Sequence, residues 1–324
     1  MKMSLARVMV IVSAVLLVWA GCSKKGNGPV TPKPYNEVIM ELFAASPLAG
    51  GFAFEMWAKP ADTSLSASEP LWERLTRFNV NASGGLVDSN GTPLVSNTVK
   101  NLPVNLDDYD SLQVTIERTS DHPTTPSSTV YLRGRIPPNL DSATIARLEF
   151  PAPPGSASGF CDLITPTDLD TSTSNELSGA WFMMKDLPGL SDSGLFIPPA
   201  PSGWLYEGWV SHRNVWLSTG KFRRATGPDM ANPYSGPETA PGFPGEDFLR
   251  NAPGGIDFTF PFELTVEDGI KVTMQPDPDP GATPFGVTVV STQFTSAPVP
   301  HTLVSLAAAP ETIPTANVTI ARTD

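Results

Sequence analysis

The amino-acid sequence predicts an all-β protein with two tandem antiparallel β-sandwich domains, placed after a signal peptide and a flexible tether. Three observations support this fold class. The 324 residues include 35 Pro and 26 Gly, which interrupt the chain too often for long helices. Several short segments alternate apolar with polar residues, as half-buried strands do. Two such segments, far apart in the chain, resemble each other.

The clearest of these segments spans residues 203–222, GWLYEGWVSHRNVWLSTGKF. Trp204 and Tyr206 have even residue numbers and Trp209 has an odd one. In a strand, successive side chains point to opposite faces, so these aromatic residues would lie on both faces. The polar triplet HRN, which begins at His212, predicts a turn with an exposed histidine. The segment therefore predicts a β-hairpin.

The same pattern occurs earlier in the chain. FEMW at 54–57 matches YEGW at 206–209, and the glutamates of the two motifs are 152 residues apart. In each copy a Trp follows with a Phe six residues after it, at Trp72 and Phe78 and at Trp216 and Phe222. Further on, VTI at 114–116 matches VTM at 272–274, and an Asp- and Pro-rich turn follows each. We interpret these matches as an internal duplication; chance similarity between two β-rich halves is the alternative.

The duplication sets the expected domain bounds. It predicts a first β-sandwich over residues 36–150, a Pro-rich linker over 151–159 and a second β-sandwich over 160–295. Residues 296–324 are predicted to be a tail or an edge strand. Both sandwiches are expected to be immunoglobulin-like, because short alternating strands are separated by frequent turn residues.

The N-terminal segment has the features of an export signal. Residues 1–21 carry Lys2 and Arg7 near the start, then an uncharged apolar run and a small-residue end. A transmembrane anchor is the alternative, but an apolar run of about a dozen residues is too short to span a bilayer. The Ala-Gly-Cys sequence at the end resembles the processing box of bacterial lipoproteins, which implies cleavage before Cys22 and attachment of lipid, including palmitate, to it. Residues 22–35 are predicted to form a flexible tether.

That resemblance also implies a location. A serine directly after the lipidated cysteine implies the outer membrane, facing the periplasm or the cell surface, so the expected partner is the membrane itself through the N-terminal lipid. Without residues 1–21 the net charge falls from −12 to −14. An acidic balance of this size argues against nucleic acid as a partner.

Residues of catalytic or metal-binding type are thinly spread. His122, His212 and His301 each stand alone in their segments, and Cys161 is the one cysteine left if Cys22 is lipidated, so zinc ligation has no support. Cys161 lies in an apolar run, which predicts a buried core residue. Asp168, Asp170, Ser172 and Ser174 alternate as in a calcium-binding loop, but the sixth position is Thr173 instead of Gly and the twelfth is Gly179 instead of Glu. We expect no cofactor, no metal and no catalytic residue.

The two repeated glutamates, Glu55 and Glu207, are better explained as structural groups. Each lies two residues before a tryptophan on a predicted strand. We expect each to pair with a basic residue on the adjacent strand, Arg77 and Lys221 respectively.

The most plausible binding element is a long loop. Residues 223–250 are rich in Pro, Gly and aromatic residues and have no period, and loops on a rigid framework frequently carry binding sites. The candidate binding residues in this loop are Tyr234, Phe243, Glu246, Asp247 and Phe248. A binding role predicts that the three aromatic rings form an exposed patch. The alternative is a loop that covers an open sheet edge.

A family resemblance adds to this picture. GAWF at 179–182, LPGL at 187–190, the run 203–210 and STGKF at 218–222 resemble, in order, motifs of the extracytoplasmic domain of the anti-sigma-K factor family. The resemblance covers residues 177–290 and implies a small antiparallel β-sandwich. In family members that regulate transcription, a cytoplasmic sigma-binding domain and a transmembrane helix precede the sandwich; here a signal peptide and Cys22 stand in their place.

The sequence therefore favours a membrane-anchored extracytoplasmic lipoprotein that is a non-enzymatic binding or structural module of the cell envelope. Its partner beyond the membrane would be an envelope protein or a glycan. Two alternatives remain: an anti-sigma-factor-like regulatory or sensing protein, and a secreted carbohydrate-active or other hydrolase with a cleft between its domains.

Overall fold

The computed structural model describes residues 33–61, 72–141, 144–151, 156–169, 174–187 and 190–323. The predicted signal peptide, Cys22 and nearly all of the predicted tether lie outside these residues. The tether's last residue, Tyr35, is buried and donates its hydroxyl to the carbonyl oxygen of Leu140 at 2.5 Å. The folded part of the chain therefore already includes Tyr35.

The described residues form strands and short 3₁₀ helices. The strands are β1 Glu37–Phe43, β2 Phe52–Pro60, β3 Glu73–Val80, β4 Leu86–Val87, β5 Thr98–Val99, β6 Tyr109–Arg118, β7 Val130–Arg135, β8 Ile145–Glu149, β9 Ser158–Asp162, β10 Ala180–Trp181, β11 Met183–Leu187, β12 Leu190–Ser193, β13 Leu195–Phe196, β14 Trp204–His212, β15 Val215–Phe222, β16 Gly245–Glu246, β17 Gly269–Pro276, β18 Val287–Gln293, β19 Leu303–Ala308 and β20 Thr315–Ala321. The 3₁₀ helices are Val95–Asn97, Leu106–Asp108, Glu176–Ser178 and Pro310–Thr312. The all-β prediction is confirmed.

Two large antiparallel sheets hold most of these strands. The first sheet has nine strands in the order β4-β3-β2-β6-β7-β8-β20-β1-β5. The second has the order β15-β14-β17-β18-β19-β9-β10-β16, with β13 also paired to β9. Strands β11 and β12 form a separate pair. Residues Pro34–Asp324 cluster as one compact unit, and buried apolar side chains from both sheets form one contiguous core.

The predicted hairpin is present as β14 and β15. His212 pairs with Val215, and the two residues between them, Arg213 and Asn214, have φ values of 49° and 64°. Two consecutive positive φ values match the turn that joins twisted strands most readily. All nine residues of β14 are buried, because it lies inside the sheet between β15 and β17.

The expected exposure of His212 is wrong. Its ring stacks on Phe262 and lies edge-on to Phe258, and its Nδ1 is 2.9 Å from Oδ2 of Asp268. These three partners come from a segment some fifty residues further along the chain, which folds over the hairpin. Local sequence at a turn does not reveal such a cover.

The residues matched by the sequence repeat occupy equivalent positions in the two sheets. Strands β3-β2-β6-β7 of the first sheet correspond in order to β15-β14-β17-β18 of the second. Glu55 lies opposite Arg77 and Thr115, and Glu207 lies opposite Lys221 and Thr273. The aligned segments 114–116 and 272–274 therefore have the same register against their neighbours.

Irregularities in the pairing are repeated as well. The β2–β3 register shifts between Met56 and Trp57, and the β14–β15 register shifts between Gly208 and Trp209. A second shift occurs on β6 before Thr115 and on β17 before Thr273. Bulges redirect individual side chains and are conserved design features of sheets, so shared bulges are a stronger sign of a common origin than shared strand order.

The end of the chain is built into the sheets. Strand β19 lies between β18 and β9 in the second sheet, and β20 lies between β8 and β1 in the first. Alternate residues of β20, Ala316, Val318 and Ile320, are buried in the core. Residues 315–321 thus form an interior strand of the first sheet, where the sequence predicts a tail or an edge strand, because the gap between β1 and β8 offers pairing on both sides.

Aromatic packing joins the two sheets. The ring of Trp204 at the start of β14 lies 5.1 Å from Phe150 and 5.9 Å from Phe285, measured between ring centroids. Its indole nitrogen donates to the carbonyl oxygen of Val130 at 3.3 Å.

The predicted linker ends within strand β9, which begins at Ser158.

Candidate functional site

The candidate loop 223–250 brings its predicted residues together, but in the interior. Phe248 is fully buried and packs on the half-buried ring of Tyr234, with ring centroids 5.6 Å apart. Phe243 is half-buried against the small cluster around Trp181. The expected exposed aromatic patch is therefore wrong. Within the loop, strand β16 pairs with β10 at one end of the second sheet, so the loop covers that sheet edge.

Asp247 fixes the loop to the sheet. Its Oδ1 accepts the indole N–H of Trp181, and its Oδ2 accepts both the hydroxyl and, at 2.8 Å, the backbone N–H of Thr167. Burial raises the pKa of this carboxyl to about 6, although these donors act in the opposite direction. The hydrogen bonds that the Asp247 carboxylate accepts all come from side-chain and backbone groups of the protein itself. We therefore regard Asp247 as a structural group.

Glu246 and Asp229 have the same character. Glu246 is fully buried, and its carboxylate accepts the hydroxyl of Ser235 and the backbone N–H groups of Tyr234 and Asp247, at 3.1 and 3.0 Å. Asp229 accepts the N–H of Gly245 at 3.1 Å. Burial raises the pKa of Glu246, and it raises the pKa of Asp229 to about 7.

One of the two predicted cross-strand ion pairs is confirmed. Arg77 on β3 donates Nε to Oε1 of the buried Glu55 at 2.7 Å. In the second copy the partners differ: Ser218 donates its hydroxyl to Oε1 of Glu207 at 2.6 Å, and Lys221 Nζ lies 2.7 Å from Oδ2 of Asp279. The expected Glu207–Lys221 pair is therefore wrong, because the Asp- and Pro-rich turn after β17 brings an alternative carboxylate to the lysine.

Other chemically capable residues have structural surroundings. Cys161 is fully buried, as predicted, and burial raises the pKa of its thiol. Asp277 of the turn after β17 pairs with Arg223 at 2.8 Å. Over the described ranges, no three His, Cys, Asp or Glu side chains are grouped so that they would hold a metal ion. The helices of this part of the chain are all too short or too polar to cross a membrane.

An open groove on the second sheet was not anticipated from the sequence. It has a volume of about 410 Å³ and lies over the face of β14, β17 and β18 that carries Ser211, Gly269 and Ser291. Small residues at these three positions leave the trough unfilled. Trp216 and Asn214 form one side, and the 3₁₀ helix Pro310–Thr312 borders the other.

The wall of the groove contains a cation–π pair. Lys271 Nζ lies 3.9 Å from the centre of the Trp216 ring, reaching across β14 from β17. Burial lowers the pKa of this lysine. Both side chains are half-buried, so each has part of its surface facing the groove.

The rim of the groove includes a residue in an unusual backbone conformation. Glu267 has a φ of 77°, a value that bulky side chains rarely adopt. Its N–H donates to the carbonyl oxygen of Phe294 at 2.9 Å, and its carbonyl oxygen accepts from Nε2 of Gln293 at 3.2 Å. Backbone strain of this kind persists where the surroundings impose it, and it clusters at binding sites.

The first sheet has a small residue, Ser111, at the position of Gly269 but lacks the other two small residues that form the groove. At the positions equivalent to Ser211 and Ser291 it has Lys59 and Arg133. Arg133 donates Nε to Oε1 of Gln113, the equivalent of Lys271, at 2.9 Å, so its side chain lies across that face. The sequence shows that small residues occur on β14, β17 and β18. Only the strand pairing shows that these residues lie on one surface.

Comparison of this chain with models of protein families, with curated proteins and with solved structures gives no match.

Proposed function

We propose that this chain is a membrane-anchored extracytoplasmic lipoprotein that is a non-enzymatic binding module of the cell envelope. The observation that carries the proposal is the open groove over β14, β17 and β18, which are interior strands of a large sheet. A volume of about 410 Å³ falls in the range of about 300 to 1,000 Å³ that small-ligand sites occupy.

The surroundings of the buried acids support a non-enzymatic role. Glu55, Glu246 and Asp247 accept hydrogen bonds from neighbouring side chains or backbone groups. A general acid or base needs an open side toward its substrate. At the junction of the two sheets, two shallow pockets of about 140 Å³ each are too small for a substrate cleft of ordinary size.

The anchoring part of the proposal rests on the sequence of residues 1–35. A charged start, an apolar run and Ala-Gly-Cys predict export and lipidation at Cys22, and an acidic chain suits a solvated domain beyond a membrane. We place it at the outer membrane, facing the periplasm or the cell surface. We also propose that its two sheets descend from one duplicated immunoglobulin-like sandwich, because register and bulges are shared.

Two measurements on the full chain in a bacterial host test the anchoring. Metabolic labelling with a palmitate analogue and membrane fractionation should place the wild-type chain, labelled, in the outer-membrane fraction. The Cys22→Ser variant should be unlabelled and absent from the outer-membrane fraction. An unlabelled wild-type chain, or a Cys22→Ser variant that still carries label, would contradict the proposal.

The binding role is tested with the chain from Ser23 onward, which lacks the apolar run and the lipidated cysteine. It should cosediment with envelope fragments prepared from the organism that encodes it, and this association should saturate as protein is added. A linear, non-saturating signal that equals the signal of an unrelated acidic protein would contradict a binding role.

A further inference from the structure

We infer that the groove over β14, β17 and β18 binds a neutral oligosaccharide. This inference rests on the proposed binding function and names the ligand class of the same site. Four features of the groove favour a sugar: its aromatic wall, its neutral polar lining, its charge balance and its position on a sheet face.

The aromatic wall matches the apolar face of a pyranose. A sugar ring presents C–H groups on its faces and hydroxyl groups around its edge. The indole of Trp216 is half-buried and lines the groove, so its exposed part can contact these C–H groups. Lys271 lies on one face of the ring and, as a donor, faces the same groove.

The rest of the lining matches the sugar edge. Side chains that both donate and accept hydrogen bonds line the trough, among them Ser211, Asn214, Ser291 and Gln293. Hydroxyl groups of a saccharide also donate and accept, so each such contact can be formed in either direction. Ser211 and Gln293 already bond to the backbone of Gly269 and Glu267. An apolar ligand such as an acyl chain, however, would cover Asn214 and Ser291 without giving them partners, at a cost of about 1–3 kcal/mol for each buried group.

The charges argue against an anionic ligand. One cation, Lys271, faces two rim carboxylates, Glu267 and Glu311, and the chain as a whole has a net charge of −12. Phosphate and sulfate groups are usually bound by clustered Arg or Lys side chains. A neutral ligand fits this balance better.

The position of the groove argues against a peptide in an extended conformation. Peptides that add to sheets use the free N–H and C=O groups of an edge strand. The floor of this groove is formed by β14, β17 and β18, which are paired on both sides. Their backbone groups are therefore used within the sheet, and recognition must come from side chains.

The difference between the two sheets shows that the fold does not require the trough. The same framework carries Lys59, Ser111 and Arg133 in the first sheet and Ser211, Gly269 and Ser291 in the second. Both sheets keep the same register, so small residues in place of Lys59 and Arg133 are not needed for strand pairing. The trough in the second sheet is therefore free to hold a ligand.

The test is calorimetric titration of the chain from Ser23 onward with four probes. Chitotetraose represents N-acetylhexosamine glycans, such as those of a cell-wall backbone. Cellotetraose and mannotetraose represent neutral hexose glycans of a surface polysaccharide. A sulfated heparin tetrasaccharide represents anionic glycans. We expect at least one of the three neutral probes to bind, and the probe that binds identifies the source.

Two variants test the groove, one by removing a side chain from it and the other by filling it. Trp216→Ala removes the stacking surface, and Ser291→Arg places in the groove the residue that the first sheet carries at the equivalent position. Each should weaken binding of the neutral probe at least about fivefold. Trp72→Ala, the matched change in the first sheet, should leave binding within about twofold. Circular dichroism and the melting temperature identify any variant that has lost its fold.

Several results would overturn the assignment: no binding of any neutral probe, binding of the sulfated probe alone, or neutral binding that a folded Ser291→Arg variant retains. If one groove variant does not fold, the other decides the outcome. If no neutral probe binds but saturable envelope binding is observed, the saccharide assignment is wrong and the proposed function stands. If the wild-type chain shows neither palmitate labelling nor envelope binding, the proposed function is wrong, whatever the titrations show.

Discussion

Trp57 and Trp209, which are 152 residues apart, occupy equivalent places in the two sheets, and each donates its indole N–H at 2.9 Å to a threonine on the neighbouring strand. The acceptors, Thr115 and Thr273, are fully buried, and so are both rings. A buried donor without an acceptor is costly, so an indole N–H inside a core needs an acceptor beside it. The same buried hydrogen bond therefore occurs at matched positions of the two sheets.

The first prediction concerns this hydrogen bond. Thr273→Val keeps the shape of the side chain but leaves the indole N–H of Trp209 without its acceptor, so the free energy of unfolding should fall by about 1–3 kcal/mol. Thr115→Val should cause a loss of similar size. Urea denaturation followed by circular dichroism measures both. Thr319→Val, at a half-buried position of β20, is the control and should change stability by less than about 0.5 kcal/mol. Losses equal to the control would show that the bond contributes nothing.

The second prediction contrasts the two glutamates. Glu55 is fully buried, so Arg77→Met leaves its carboxylate with only the longer 3.6 Å contact to Arg74 and should destabilise by about 3 kcal/mol. Lys221→Met should cost less than about 1 kcal/mol, because the Lys221–Asp279 pair is partly exposed and Glu207 keeps its bond from Ser218. Chemical denaturation of both variants gives the comparison. Equal losses would mean that burial of Glu55 does not decide the effect.

The third prediction is a pH dependence of stability. Burial raises the pKa of Glu207 to about 7, of Asp229 to about 7 and of Asp247 to about 6. Between their ordinary values, 4.5 for Glu and 3.8 for Asp, and these raised ones, the folded state binds more protons than the unfolded state. The contribution of these groups to stability is therefore greatest at acidic pH and falls as pH rises toward about 7.

Denaturation midpoints measured from pH 5 to pH 8 check this dependence. Glu207→Gln retains an acceptor for Ser218 and removes one titrating group, so it should flatten the decline in stability between pH 5 and pH 7. Glu238→Gln, at an exposed position of the covering loop, is the control and should leave the slope unchanged. A wild-type chain that becomes steadily more stable from pH 5 to pH 7 would contradict the prediction.

The fourth prediction concerns the C-terminal strand. Ile320→Ala removes a fully buried side chain from β20 and should cost about 2–5 kcal/mol. Hydrogen exchange should locate the effect, with the amides of β1 and β8 losing protection before those of β14 and β17, because β20 pairs with the first two. Thr319→Ala, the adjacent half-buried position, is the control. Uniform loss of protection in both sheets would show that the sheets unfold as one.

Much of the fold was accessible from local pattern. Alternation along β14 and β15 and the Arg213–Asn214 turn follow from the period of two and from residues that tolerate positive φ. The repeat of Glu, Trp and Phe matched positions that have equivalent registers in the two sheets. A slip of one residue would move every apolar side chain to the opposite face. Cys161 in the core follows from its apolar neighbours.

The candidate site was less accessible. The aromatic loop residues were expected at the surface, yet Phe248 contributes to the core, because Phe260 and Phe262 from a later segment pack on it. The groove near Trp216 was missed, because Ser211, Gly269 and Ser291 are far apart in the chain and none has unusual chemistry. Their shared position depends on two strand pairings, of β14 with β17 and of β17 with β18.

The amino-acid sequence alone was enough for the all-β class, the hairpin and the positions matched between the two copies, because alternation and turn chemistry act over a few neighbouring residues. Tertiary structure decided the rest. It placed β20 between β1 and β8 and buried His212 under Phe258 and Phe262. It also paired Lys221 with Asp279 and brought three small residues together on the surface that forms the groove. Each of these outcomes depends on which distant strands meet, and burial and pairing settle that only when the whole chain has folded.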